Sequence, residues 1–168
     1  MRDLRTPPAT FADLANVPET MVGQIIDGAL VVHPWPALPH VQTTSNVGGD
    51  INGRFARSRA PGGWWIVDKP EVHLSADALV PDLAGWKRER LATLPQEAFL
   101  TIAPDWVLEV LSPSTASIDR VSKARIYARE GVRWLWFIDP DTQIVEVFRN
   151  DRGVFRPASA RDSAPATC

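Results

Sequence analysis

A strand, a helix and a second strand follow one another between residues 106 and 138, and this succession constrains the fold most. The runs 106–111 and 134–138 are apolar and of strand length. The stretch 116–130 has helical spacing and is followed by Gly131, a residue that commonly stands just after a helix. This order predicts a crossover between strands of one sheet. We therefore expect an α/β fold, in which a central mixed β-sheet is flanked by helices.

The rest of the chain supplies further elements of such a fold. Asp27-Gly28 lies between two apolar runs, 24–26 and 29–32, and predicts a β-hairpin. A short helix is expected at 10–15, and a longer one begins at His40 and ends near 57–60. A turn at 61–63 precedes further strands. These strands are expected at 64–67, 71–74, 79–83 and 143–148, the last of them at a sheet edge.

Length and composition favour one domain. The 168 residues are 45% hydrophobic, which is enough for a single core, and we assign it to residues 1–157. Residues 158–168 are rich in Ala, Ser, Pro and Asp and are expected to be a disordered tail. The net charge of −2 argues against a protein that coats nucleic acid non-specifically, because such binding depends on clustered Lys and Arg. An enzyme that contacts DNA locally is still compatible with this charge.

The cysteine content and the apolar runs indicate the compartment. Cys168 is the only cysteine, so an intramolecular disulfide or a thiolate metal cluster is excluded. The first residues contain no apolar core of signal-peptide length, and no run is long enough to span a membrane. The expected location is therefore cytoplasmic, without membrane contact.

Two acids stand out because each lies in a short apolar run that is typical of a buried strand. They are Asp82, in the run 80–83, and Glu109, in the run 106–111. An unpaired carboxylate in such a place is costly, and a cation would neutralise the pair. Hard divalent cations such as Mg²⁺ prefer oxygen ligands of this kind. The two acids are therefore a candidate metal site.

The order of these motifs resembles the Uma-type putative restriction endonuclease family, a branch of the PD-(D/E)XK nuclease superfamily. The resemblance covers 11–149. Its most specific part is 109–131, which contains Glu109-Val110-Leu111-Ser112-Pro113-Ser114-Thr115, then Asp119, Lys123, Tyr127 and Gly131. The Asp-Gly hairpin, His40 at a helix start, Val80-Pro81-Asp82 and Trp136-Phe137-Ile138-Asp139-Pro140 complete it.

This resemblance implies a restriction-endonuclease-like core and a DNA endonuclease that depends on Mg²⁺ or Mn²⁺. Asp82 and Glu109 would hold the metal, which activates water and neutralises charge on the phosphate. The lysine expected two residues after Glu109 is absent, since that position is Leu111. The resemblance offers Lys123, on the following helix, as its replacement. The alternative is a plain Asp119–Lys123 pair on the helix surface.

Four further residues are accessory candidates in this family. Glu71 is a third metal ligand or an outward-facing strand residue. Gln24 stands where relatives usually carry glutamate, and its amide can coordinate but brings no charge. His40 contacts phosphate or the metal site, or it caps and packs its helix. Tyr127 packs on the sheet, or its hydroxyl lies near the site.

Three hypotheses of function remain open at this point. The first is the metal-dependent endonuclease. The second is a nuclease-fold protein that has lost catalysis and binds nucleic acid or a protein, which Gln24 and Leu111 favour. The third is a structural subunit whose Trp-rich strands build a homo-oligomer. Cutting both strands of a duplex would itself favour a symmetric dimer.

Overall fold

The structure is a computed structural model, and it describes residues 7–56 and 63–158. Within them, the strands are β1 (Met21–Ile26), β2 (Ala29–Pro34), β3 (Trp64–Asp68), β4 (Glu71–Leu74), β5 (Asp77–Leu79), β6 (Leu83–Lys87), β7 (Phe99–Leu100), β8 (Trp106–Val110), β9 (Trp134–Asp139), β10 (Ile144–Asp151) and β11 (Val154–Pro157). The helices are α1 (Phe11–Leu14), α2 (Leu38–Ile51) and α3 (Ala124–Arg129). Two π-helical turns, Asn52–Ala56 and Ile118–Lys123, extend α2 and precede α3.

The strands form two mixed sheets. The first has the order β2-β1-β5-β4-β7, and the second has the order β11-β10-β9-β8-β6-β3. The Asp-Gly hairpin is confirmed as β1 and β2. Asp27 and Gly28 have φ angles of 53° and 76°, the left-handed values that a two-residue turn of this kind needs. The short first helix is also confirmed, and the Asp13 carboxylate caps its start by accepting from the Thr10 backbone N–H at 2.7 Å.

The predicted crossover is present in the second sheet. Strands β8 and β9 are parallel neighbours, and the helical segment 116–129 connects them. This helix ends as expected, because Gly131 takes a φ of 83° and the Val132 N–H donates to the Tyr127 carbonyl at 2.9 Å. All five residues of β8 are buried, since α2 covers one face of the sheet and α3 covers the other. The α/β class with a mixed sheet flanked by helices is thus confirmed.

Two strand predictions need correction. The expected strand 79–83 is in fact the end of β5 and the start of β6, and residues 80–82 link the two sheets. Pro81 interrupts the run because it has no N–H to donate to a neighbouring strand. Asp82 therefore precedes a strand instead of lying within one. The strand 143–148 was expected at an edge, but β10 lies between β9 and β11, and β11 forms the edge.

Some expectations fall on residues outside the described ranges. These are the end of the first long helix at 57–60, most of the turn at 61–63, and the tail beyond Ala158. Tryptophans of the strands lie in the core or pack against it, and the rings of Trp106 and Trp136 meet edge to face at 5.5 Å. Over the ranges 7–56 and 63–158, no helix is both long and apolar enough to cross a membrane.

Candidate active site

A cleft of about 610 Å³ opens where the two sheets meet. Its walls come from the β1–β2 hairpin, the start of α2, the linker 80–82, the end of β8 and the π-helical turn before α3. The side chains that the sequence singled out and that line it are Gln24, His40, Asp82, Glu109 and Lys123. The crossover and the linker thus bring residues from distant parts of the chain to one place.

Asp82 and Glu109 are held together by reciprocal bonds to the backbone. The Val110 N–H donates to Asp82 Oδ2 at 2.8 Å, and the Asp82 N–H donates to Glu109 Oε2 at 3.3 Å. Each carboxylate therefore receives an N–H from the segment that carries the other. Because β6 pairs with β8 directly after the linker, the two acids keep a fixed relative position.

Two cationic or ionisable groups contact the Asp82 carboxylate. Lys69 Nζ lies 2.5 Å from Oδ1, and His40 Nε2 lies 3.2 Å from Oδ2. Burial raises the pKa of Asp82, but the His40 hydrogen bond and the Lys69 charge outweigh burial and lower it to about 2. Burial lowers the pKa of His40, yet its hydrogen bond to Asp82 and the Asp82 charge leave it raised overall. Asp82 is therefore ionised across the ordinary pH range.

Lys123 and Tyr127 both contact Glu109. Lys123 Nζ lies 2.7 Å from Glu109 Oε1 and 3.1 Å from Asp119 Oδ1, and the Tyr127 hydroxyl donates to Glu109 Oε1 at 2.8 Å. Asp119, Lys123 and Tyr127 follow one another at four-residue steps, and the helix face that they share is turned toward the acid on β8. Lys123 is not a surface residue, because only 3% of its side chain is exposed.

Burial and neighbouring charges shift the pKa values of Glu109 and Lys123. Burial, with Asp119 and Asp82 nearby, raises the pKa of Glu109 to about 8, although the Lys123 charge opposes the shift. The charges of Glu109 and Asp119 outweigh the burial of Lys123 and raise its pKa. Lys123 therefore remains an ammonium, and the surplus of acids around it favours a proton on Glu109.

Gln24 and His40 anchor backbone in the cleft as well as lining it. Gln24 Oε1 accepts from the Val80 N–H at 2.8 Å, and its Nε2 lies 3.1 Å from His33 Nε2. The amide thus fixes the linker that carries Asp82. His40 Nε2 lies 2.7 Å from the Val110 carbonyl oxygen, so the histidine also joins α2 to the end of β8.

Two of the predicted site residues in the described ranges do not line the cleft. One is Tyr127, whose hydroxyl nevertheless contacts Glu109, and the other is Glu71. Its carboxylate pairs with His73 at 2.6 Å. The His73 ring in turn is stacked between Phe11 at 4.1 Å and Phe99 at 4.2 Å. The structure places Glu71 on the face of its strand opposite Val72, which is in the core.

Lys69 is a cleft residue that the sequence reasoning missed. It occupies the turn between β3 and β4 with a φ of 45°, directly before Pro70. Its backbone N–H also donates to the Asp82 carbonyl at 3.1 Å. The signal in the sequence is a lone lysine in a turn between apolar strands, and only the fold pairs that turn with the linker.

The donor set of the cleft fits a hard divalent cation. It offers the carboxylates of Asp82 and Glu109, and next to them the Val110 carbonyl oxygen, which lies 2.7 Å from the same His40 Nε2 that contacts Asp82. The described part of the chain contains no cluster of three or more His, Cys, Asp or Glu arranged as metal ligands. Mg²⁺ is commonly held by only one or two carboxylates and keeps several waters. Two acids are therefore sufficient for this ion.

Comparisons with known proteins agree with this architecture. The sequence model of the Uma2 family, described as putative restriction endonuclease, matches residues 9–166. The crystal structure of a putative nuclease belonging to DUF820 from Anabaena variabilis ATCC 29413 superposes with a TM-score of 0.74 at 23% identity, covering 89% of this chain and 84% of that one. No curated protein matches the chain significantly. The structural likeness confirms the predicted fold class.

Proposed function

The chain belongs to the Uma2 putative restriction endonuclease family, and on this premise we propose that it is a DNA endonuclease of the PD-(D/E)XK type that depends on Mg²⁺ or Mn²⁺. The observation that carries the proposal is the meeting of Asp82, Glu109 and Lys123 in one cleft. Two buried acids joined through backbone N–H groups, with an ammonium 2.7 Å from one of them, form a costly arrangement. Packing alone does not require it.

Each residue has a distinct role in this proposal. Asp82, Glu109 and the Val110 carbonyl would hold the ion, which supplies a Lewis acid for the phosphate and the attacking water. Lys123 remains charged, so it stabilises negative charge that develops on the phosphate and is not the base. Lys69, His40 and Gln24 position Asp82 and its linker.

Metal-dependent cleavage tests the proposal directly. Purified protein is expected to nick or cut plasmid DNA with Mg²⁺ or Mn²⁺ and to stop when EDTA is added, because the acids need the ion to act on phosphate. Gel analysis of plasmid forms measures the reaction. Cleavage that continues unchanged in EDTA would overturn the proposal.

Binding of the ion is expected to depend on pH through Glu109. Its pKa is raised to about 8, so below that pH the ion must displace a proton, and affinity should rise about tenfold per pH unit before levelling off above pH 8. Calorimetry in buffers of different ionisation enthalpy counts the released protons. In Glu109→Gln protein this proton release should disappear. An affinity for Mn²⁺ that is flat from about pH 6 to 8 would contradict the expectation.

One observation favours the alternative of a nuclease-fold protein that binds without cutting. Lys69, His40 and Lys123 already neutralise the acids from within the chain, and Gln24 brings no charge. Calorimetry separates the two proposals. An inactive protein should show no divalent binding that Asp82→Asn and Glu109→Gln remove.

A further inference from the structure

A second concave surface lies at the end of the six-stranded sheet opposite the cleft. It has a volume of about 610 Å³ and is lined by Arg90, Asp105, Ala128, Arg129, Gly131, Arg133, Asn150, Arg152 and Gly153. The antiparallel and parallel pairings place the start of β8 and β9 and the turn between β10 and β11 at this end. Four arginines therefore border one surface, which we call the arginine end.

Asn150 fixes the two turns that carry these arginines. Its side-chain amide donates to the carbonyls of Ala128 and Val132 at 2.8 and 2.9 Å, and its Oδ1 accepts from the Gly153 N–H at 2.8 Å. The turn after α3 and the turn between β10 and β11 are thus joined through one side chain. The arginines lie on a preorganised backbone, which lowers the entropic cost of binding a ligand.

Two of the four arginines have their charge compensated. Arg90 pairs with Asp105 at 2.7 Å, and Arg129 pairs with Asp77 at 2.7 Å. The Arg133 and Arg152 side chains have no ion-pair partner among the residues that the structure describes. The charges of Arg133 and Arg152 therefore give the concavity a surplus of positive charge, which attracts an anion.

Arg152 is also an unusual choice for its place in the fold. It is the first residue of the two-residue turn after β10 and has a φ of 53°. Asn, Asp and Gly are favoured at such positions. A left-handed arginine is therefore not explained by the requirements of the hairpin.

We propose that the arginine end binds phosphate groups of a nucleic acid backbone at a distance from the bond cut in the cleft. The inference rests on the proposed function and adds to it a second contact with the substrate. A guanidinium matches two phosphate oxygens at once, and the surface offers several. Among the described residues that line the arginine end, Ala128 is the one apolar side chain and none is aromatic, so the surface offers no aromatic platform on which a base could stack.

The two sites are close enough for one nucleic acid to contact both. Asp105 borders the arginine end and Glu109 lies in the cleft, four residues further along the chain. At about 3.3 Å per strand residue they are about 13 Å apart along β8. Since a duplex rises about 3.4 Å along its axis per nucleotide of one strand, a span of this length corresponds to about four nucleotides.

Binding without divalent ions tests this inference independently of cleavage. We expect the double variant Arg133→Gln/Arg152→Gln to bind a fluorescein-labelled DNA duplex about tenfold more weakly in EDTA. The slope of log affinity against log salt should fall by about 2, since two phosphate contacts are lost. Fluorescence anisotropy between about 50 and 200 mM KCl measures both quantities.

A matched control separates a local site from net charge. Arg125→Gln/Arg156→Gln removes the same charge from exposed arginines outside the concavity and should leave affinity and slope unchanged. The inference is overturned if the control loses as much affinity, if the first double variant binds like wild type, or if the wild type binds no DNA. If binding depends on Arg133 and Arg152 but the wild type never cuts DNA, the nuclease proposal is wrong and this inference stands. If the wild type cuts DNA and the double variant binds DNA normally, this inference is wrong and the nuclease proposal stands.

Discussion

Asp82→Asn protein is expected to cleave DNA at least about a thousandfold more slowly than wild type. The substitution removes the charge that would hold the ion. It keeps an oxygen that can still accept from the Val110 N–H, so the backbone link to β8 survives. Loss of activity would therefore reflect lost ion binding and not a displaced linker. Initial rates of plasmid nicking at saturating Mn²⁺ measure the change.

Glu71→Gln is the matched control for this substitution. Both change one acid to its amide, and Glu71 was also predicted from the sequence as a ligand. Because Glu71 pairs with His73 outside the cleft, we expect its variant to cut within about twofold of wild type. Circular dichroism and thermal unfolding establish that both variants are folded. Wild-type rates in folded Asp82→Asn protein would refute the assignment of the site.

Lys123→Met is expected to lower the free energy of unfolding by about 3 to 5 kcal/mol well above pH 8, where Glu109 is ionised in the wild type. The ammonium is buried between Glu109 and Asp119, and its removal leaves two acids without their cation. Urea unfolding monitored by tryptophan fluorescence measures the loss. The loss should shrink as the pH falls below about 8, because Glu109, whose pKa is already raised to about 8, takes up a proton still more readily without the Lys123 charge.

Two comparisons make this result specific. Arg125→Met breaks the exposed pair with Asp27 and should change stability by no more than about 1 kcal/mol. Adding Glu109→Gln to Lys123→Met should recover part of the lost stability, since one of the unpaired charges is then absent. Equal effects of Lys123→Met and Arg125→Met would show that Lys123 does not neutralise a buried acid.

Local patterns in the sequence were sufficient for much of the fold. The Asp27-Gly28 hairpin and the crossover from β8 to β9 follow from turn chemistry and apolar spacing, which act over a few residues. The same holds for the shared face of Asp119, Lys123 and Tyr127. Four-residue steps along a helix put them together, and the crossover brings that face over Glu109.

Contacts between distant turns could not be predicted in this way. Lys69 meets Asp82 only because β3 and β6 are neighbours and their connecting segments lie at the same end of the sheet. For Glu71, alternation along β4 shows that residues 71 and 73 share a face but not which face the cleft adjoins. The face of β4 that carries residues 71 and 73 is occupied by the aromatic stack of Phe11, His73 and Phe99, which come from three separate segments.

Because of the reciprocal backbone hydrogen bonds between Asp82 and Glu109, the candidate active site forms only when the sheet around it is correctly folded. Each bond requires that β6 and β8 be paired in their native register, because a shift by one residue would turn Glu109 to the other face of the sheet. A chain that is still being synthesised, or one that has partly unfolded, cannot assemble the two acids. Under the proposed function, incompletely folded forms of the protein would therefore be unable to cleave DNA.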